Sequence, residues 1–310
     1  MEPEPYFPTP SSSLTRWWSE DTVAVVTGGN KGIGFEVVKQ LAELGLNVVL
    51  TARDTKKGEA ALEALRAQGH AANVHFLLLD VCDPLSISTF ASTFRAIFGA
   101  TLDILVNNAG VSFNELDENS VEHAETVMKT NFYGPKMLIE ALYPLFRCSP
   151  SITRILNVSS RLGSINKMRN AEMKSVLERE NLLEEEIEGM ANMFLRDVKN
   201  RTWESQGWPS YWTEYAVSKL ALNAYSRVLA KRYSCNGSIS NLSVNCFCPG
   251  FTQTSMTKGK GVHTADHVAS IIASLVLLPP HQLPTGKFFS IESKKKKKIS
   301  TTLINVSSKL

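Results

Sequence analysis

A chain of 310 residues, 43% of them hydrophobic, is long enough to bury a large core in one big α/β domain or in two smaller ones. The formal net charge of +3 is small for this length, and much of the basic excess lies in one run, KKKKK at 294–298, so a nucleic-acid surface is not the expected partner. No secretory segment opens the chain and no apolar stretch reaches about 18 residues, so no membrane span is expected and a soluble, reducing, cytoplasmic setting is.

Residues 1–20, rich in Pro and Ser and carrying EPEP, read as a loosely ordered arm. The apolar run TVAVV at 22–26 then leads into TGGNKGIG at 27–34, after which Val37, Val38, Leu41 and Leu44 share one helical face. The glycines therefore sit on a strand-to-helix turn. Further runs follow in NVVLTAR, VHFLLLD, LDILVNNAG, TRILNVSS, LSVNCFCPG and GKFFSI, each nearly continuous in apolar residues and separated by helical patterns. Strands of that kind are buried on both sides, which predicts a single doubly wound, Rossmann-type α/β domain over 21–292 with a seven-stranded parallel sheet. Cys246 and Cys248 alternate along the sixth run and read as packing residues; none of the five cysteines has zinc-ligand spacing.

One segment breaks the rhythm. A helical insert is expected at about 163–210, where Ile187, Met190, Phe194 and Val198 form a stripe that has to be buried. Packed on the domain, it favours a monomer and brings Trp203, Trp208 and Trp212 near the mouth of the site; the alternative is a dimer surface. Residues 293–310 read as a Lys-rich polar tail, solvated or else a nuclear address or anionic-surface contact. The N-x-S/T matches at Asn157, Asn236, Asn241 and Asn305 carry no weight without a secretory signal.

A glycine turn opening the first helix lets a pyrophosphate approach backbone N–H groups where the helix dipole favours negative charge. The second run ends in Arg53, at the place where NAD-binding sheets carry an acid, and a guanidinium there suits a 2′-phosphate. Lys31 adds a second charge. Both point to NADP, although Asp54 is placed to touch a ribose.

TGGNKGIG, LDV with Asp80, NNAG at 107–110, KTN ending in Asn131, NVSS, YAVSK and CPG occur in an order that resembles the short-chain dehydrogenase/reductases over about 22–291. The insert, GWP at 207–209 and LALNAYSRVLAKR resemble its monomeric carbonyl reductase branch, especially plant members of the salutaridine reductase and neomenthol dehydrogenase type. The resemblance implies a catalytic set of Ser160, Tyr215, Lys219 and Asn131, the last holding a water that relays protons to the lysine. It implies cofactor contacts from Gly28, Asn30, Lys31, Gly32, Ile33, Gly34, Arg53, Asp80, Val81, Asn107, Ala109, Gly110, Tyr215, Lys219, Pro249, Gly250 and Thr254. Asp80 would meet the adenine, and residues 249–254 the nicotinamide end. Thr252 departs from the apolar residue expected there.

The chemistry supplies its own reasons. Reducing a ketone needs a hydride and a proton for the developing alkoxide. Tyr215 and Lys219 stand four apart on a helix, so the ammonium shares a face with the phenol and can lower its pKa. Ser160 ends the fifth run and can donate to the carbonyl oxygen; strand alternation alone leaves Ser159 as a rival. Asn131 falls mid-helix, where Asn is unfavourable without a functional reason. The expectation is an NADPH-dependent reductase, or alcohol dehydrogenase in reverse, acting on a small apolar terpenoid- or alkaloid-like carbonyl compound. The alternative is a catalytically weak, cofactor-binding scaffold of the same fold.

Overall fold

The computed structural model describes residues 16–70, 72–113, 120–147, 153–235, 242–291 and 304–307. Its parallel strands are β1 (Val23–Val26), β2 (Asn47–Ala52), β3 (Val74–Leu78), β4 (Leu102–Asn107), β5 (Thr153–Val158), β6 (Leu242–Cys248) and β7 (Phe288–Ile291). They lie in the order β3-β2-β1-β4-β5-β6-β7. Every residue of β1, β4, β5 and β6 is buried, as continuous apolar runs require.

The alternation along β1 shows how both faces are used. Val23 and Val25 join the core beneath α3 (Pro84–Phe98), α4 (Val121–Met128), α5 (Gly134–Leu142) and α8 (Thr213–Cys235). Ala24 and Val26 face α1 (Gly32–Glu43), α2 (Thr55–Ala67) and α9 (Ala265–Val276). Helix starts follow from local chemistry: Asp54, Asp83, Ser120 and Thr264 accept backbone N–H bonds at the starts of α2, α3, α4 and α9.

The insert folds as two helices, α6 (Ala171–Glu178) and α7 (Glu184–Lys199). Ile187, Met190, Phe194 and Val198 are at most 3% exposed and pack into the core shared with α4 and α8. Half-buried Lys136 on α5 ties down the start of α7 by ion pairs to Glu184 (2.6 Å) and Glu188 (3.2 Å), and Arg232 on α8 reaches Glu184 at 2.7 Å.

Within residues 16–20 the two tryptophans, Trp17 and Trp18, are partly buried. Trp17 donates its indole N–H to the Leu277 carbonyl and lies 3.4 Å from the Arg154 guanidinium, which is 2% exposed on β5, while Trp18 donates to Leu44 O. A buried guanidinium needs such a face over it. The sheet also has an eighth strand, β8 (Ile304–Ser307), running antiparallel to β7 and covering what would otherwise be an open edge. The lysine run, Cys148, Asn236 and Asn241 lie outside the described residues. Asn157 is fully buried. No helix among the described residues is long and apolar enough to cross a membrane.

Candidate active site

The order β3-β2-β1-β4-β5 reverses between β1 and β4, so loops leaving the carboxyl ends of these strands diverge and open a crevice. Gly28 and Gly32 in the first loop have φ of +63° and +57°, a region that disfavours any side chain. A Cβ on Gly34 would stand 2.4 Å from Asn108 Nδ2 and 2.5 Å from Gly28 O, so the turn is pulled tight over the crevice. In contrast to α2, α3, α4, α6 and α9, no side chain caps α1 at Lys31. Its first N–H groups are left to an anion. This cradle fits the pyrophosphate of a nicotinamide dinucleotide. Asn30 and Ile33 are half-buried within it.

The second loop locks onto the first. Thr27 Oγ1 accepts from Asn108 N (2.9 Å) and Ala109 N (3.0 Å), and Asn108 Nδ2 donates to Thr27 O. Asn107 is turned into the sheet, where its amide donates to Asn157 Oδ1 at 2.8 Å. Any meeting of Asn107 with a ligand is therefore left to its backbone. Gly110 lies against Asn131 and Lys219.

Arg53 and Lys31 are exposed at the nucleotide end. The Asp54 carboxylate accepts from Lys57 N at 2.9 Å and caps α2. Asp80 accepts from Cys82 N and shares with Arg53 a cleft of about 500 Å³ bordered by Ser86 and Phe90; buried Val81 follows it. This cleft belongs to the nucleotide end and not to the neighbourhood of Tyr215.

Ser160, Tyr215 and Lys219 converge at the ends of β5 and α8. Ser159 is buried and donates to Asn223 Oδ1 (2.6 Å), so alternation turns Ser160 the other way, where its hydroxyl accepts from Leu162 N (3.1 Å) and acts on the Tyr215 phenol. Lys219 Nζ donates to Val158 O at 2.9 Å and lies 5.6 Å from the Tyr215 ring centre. Burial pushes the Lys219 ammonium down to about 8. Burial pushes the Tyr215 phenol up, the Cys248 thiol adds to this, and the Ser160 bond opposes it. The lowered phenol pKa expected from the lysine is thus not what the protein alone provides, because the loss of water outweighs the other effects on both groups. Tyr215 keeps some exposed surface.

Asn131 does not sit in a regular helix. Between α4 and α5 the chain makes one π-helical turn, Lys129–Tyr133, and the Asn131 amide bonds Val111 N, Val111 O and Ser218 Oγ at 2.9–3.0 Å. The widened turn places a fully buried amide against the loop after β4. After β6, Pro249 and Gly250 lead to Thr252, whose hydroxyl donates to Pro249 O and acts as a strut inside the loop. Thr254 comes within contact of the Gly32 position, closing the crevice from the far side.

The three tryptophans separate. Trp208 is 2% exposed, donates to Asp197 Oδ2 and packs on Phe194, so it is core and not mouth. Trp203 packs against the same core. Only Trp212 reaches Tyr215, ring centres 5.8 Å apart. Sequence reasoning missed Glu214, 5% exposed beside the tyrosine, its carboxyl held up by burial with His123 opposing. Also missed were the amide links through Asn157, Ser226 and Asn223; polar residues recurring on neighbouring strands and α8 were the available signal.

A family model described as short chain dehydrogenase matches residues 22–172. The chain is 40% identical over 289 residues to (+)-neomenthol dehydrogenase of Arabidopsis thaliana, covering 86% of this chain and 95% of that one. It is 41% identical over 299 residues to salutaridine reductase of Papaver bracteatum (86% and 93%), and 37% over 273 residues to carbonyl reductase (NADPH) 1 of Homo sapiens (86% and 95%). The solved salutaridine reductase of Papaver somniferum superposes with a TM-score of 0.78 at 39% identity, over 86% of this chain and 99% of that one. Together with the fold, these likenesses define an oxidoreductase acting on CH–OH groups. The chain belongs to the short-chain dehydrogenase family.

Lys219 is held lower in the folded protein than its ordinary 10.5, so between about pH 8 and 10 the unfolded chain binds more protons at this site. Its contribution to stability should therefore rise with pH across that window. Buried Cys246, pushed up to about 12, pulls the other way above about pH 9, so the readout is the difference between parent and Lys219→Met. Denaturant titrations from about pH 7.5 to 9.5 should show the parent gaining stability relative to the variant; a constant difference refutes the assignment.

Proposed function

We propose that the protein is an NADPH-dependent reductase of the carbonyl group of a small apolar metabolite. The observation that carries the reading is the meeting of Ser160, Tyr215 and Lys219 beside an uncapped glycine turn. When bound, the reduced nicotinamide supplies the hydride. Tyr215 delivers the proton to the carbonyl oxygen and Ser160 donates a second hydrogen bond to it, stabilising the charge that develops there. Lys219 holds a positive charge beneath the phenol and is placed to bind the nicotinamide ribose. Asn131 holds the loop after β4 in register with α8, and we assign it the water that replenishes the proton.

The preference for NADPH rests on Arg53 and Lys31, while Asp54 Oδ1 is engaged in the cap of α2. The named relatives support this choice, since one is a carbonyl reductase (NADPH) and others are a salutaridine reductase and neomenthol dehydrogenases. They also support a terpenoid- or alkaloid-like substrate. A cytoplasmic monomer completes the reading, because α7 lies over α4 and α8 with its apolar stripe already buried.

Arg53→Ala should erode the NADPH preference by a factor matching about 1–3 kcal/mol, the worth of a charge-assisted contact. Equal kcat/KM with NADPH and NADH in the parent would sink the cofactor assignment. Tyr215→Phe should abolish turnover and leave NADPH binding nearly intact; retention of more than about a tenth of kcat, under ~1.4 kcal/mol of barrier, would show that another group donates the proton. Light scattering at micromolar concentration should give the chain's own 34.2 kDa, and twice that mass would overturn the monomer.

A further inference from the structure

Three non-glycine residues, Arg201, Trp212 and Lys258, have left-handed backbone among the described residues. Two of them end helices. Arg201 follows the last residues of α7, and Lys258 caps the short turn Ser255–Thr257, where this conformation satisfies orphaned carbonyls. Trp212 ends nothing. It stands immediately before α8, a position that normally takes an extended backbone, and its φ is +53°. An aromatic side chain in that region is a steric outlier, and such strain collects at functional sites.

Core burial does not account for it. Trp208, four residues earlier, is sealed into the core with its N–H bonded, whereas Trp212 stays partly exposed and Tyr211, stacked on it at 5.8 Å and 22°, is 65% exposed. The strained backbone accomplishes two things. The Trp212 carbonyl accepts from Ala216 N at 2.6 Å and so starts the helix that carries Tyr215 and Lys219. The indole, three residues before Tyr215, is set at 82° to the phenol ring with centres 5.8 Å apart.

We propose that Trp212, backed by Tyr211, is the specificity-determining wall of the substrate site and selects carbonyl compounds carried on a flat aromatic or conjugated ring. The proposal rests on the reductase reading above. A carbonyl oxygen bonded to the Tyr215 and Ser160 hydroxyls has its substituent within one ring's reach of the indole. A flat π-system there gains offset or edge contacts that a small aliphatic ketone cannot make.

The test compares 2-acetonaphthone with butan-2-one as substrates for the parent, Trp212→Gly and Trp212→Phe. Glycine relieves the backbone, so the Gly variant should keep or raise Tm. Its kcat/KM on the naphthyl ketone, through KM, should fall at least tenfold more than its kcat/KM on butan-2-one. Phenylalanine should restore most of the preference. An unchanged ratio between the two ketones, or equal losses on both with a lowered Tm, overturns the proposal. Calorimetric titration of 2-acetonaphthone into Tyr215→Phe, with and without Trp212→Gly, separates the two readings. If the parent reduces neither ketone, the reductase reading fails. Binding lost on removing the indole still upholds the aromatic wall, and unchanged binding refutes it.

Discussion

The site depends on the satisfaction of polar groups buried at the carboxyl ends of the central strands. A sheet covered on both faces offers those groups no water, and an unpaired buried amide costs about 1–3 kcal/mol. Here many of them pair across elements, while Asn107 Oδ1 is left without a partner among the described residues. Thr27 joins Asn108, Asn107 joins Asn157, Asn157 joins Ser226, Ser159 joins Asn223, and Asn223 reaches Gly163 O. Each link holds one loop of the crevice to another or to α8. These side-chain links act together with backbone bonds such as Gly29 N to Thr51 O and Ser159 N to Phe247 O in placing Gly28 and Ser160.

The same dryness sets the electrostatics. Lys219 lies 5.6 Å from the phenol ring centre, and its ammonium donates to the Val158 carbonyl. Removal from water weakens an ammonium's hold on its proton and strengthens a phenol's, and both shifts run in that sense. The free protein consequently keeps Tyr215 as an acid. That state suits protonation of a carbonyl oxygen, while the reverse reaction needs further positive charge near the phenol.

Two kinds of interaction attach the insert, and their magnitudes differ. Burial would lower the Lys136 ammonium, but its hydrogen bonds to Glu140, Glu184 and Glu188 raise it on balance. Ion pairs of such partial exposure are worth roughly 0–1 kcal/mol each. Fully burying an apolar side chain is worth about 1.5–3 kcal/mol, as an upper estimate, and α7 buries four along one stripe. The stripe therefore holds the insert down, and the charged cluster chooses the register in which α7 meets α5 and α8.

Periodicity made the strands, the insert's buried face and the Tyr215–Lys219 pair legible, because each depends on residues near one another in the chain. Features that depend on a distant partner were hidden. Ser159 and Ser160 are equivalent until Asn223 on α8 claims the first. Arg154 looks like an interruption in a strand until Trp17, from a Pro- and Ser-rich segment that reads as a loose arm, covers its guanidinium. Asn131 reads as a poor helix residue until Val111 engages its amide, and the helix then widens by one turn to keep those bonds. Asp54 shows the converse: a carboxylate two places after β2 reads from sequence as a ribose ligand, and the direction taken by α2 also makes it a helix cap. In each case an uncommon residue for its local structure marks the place where tertiary contacts overrule propensity, so the departures from pattern along this chain trace the crevice and the supports behind it.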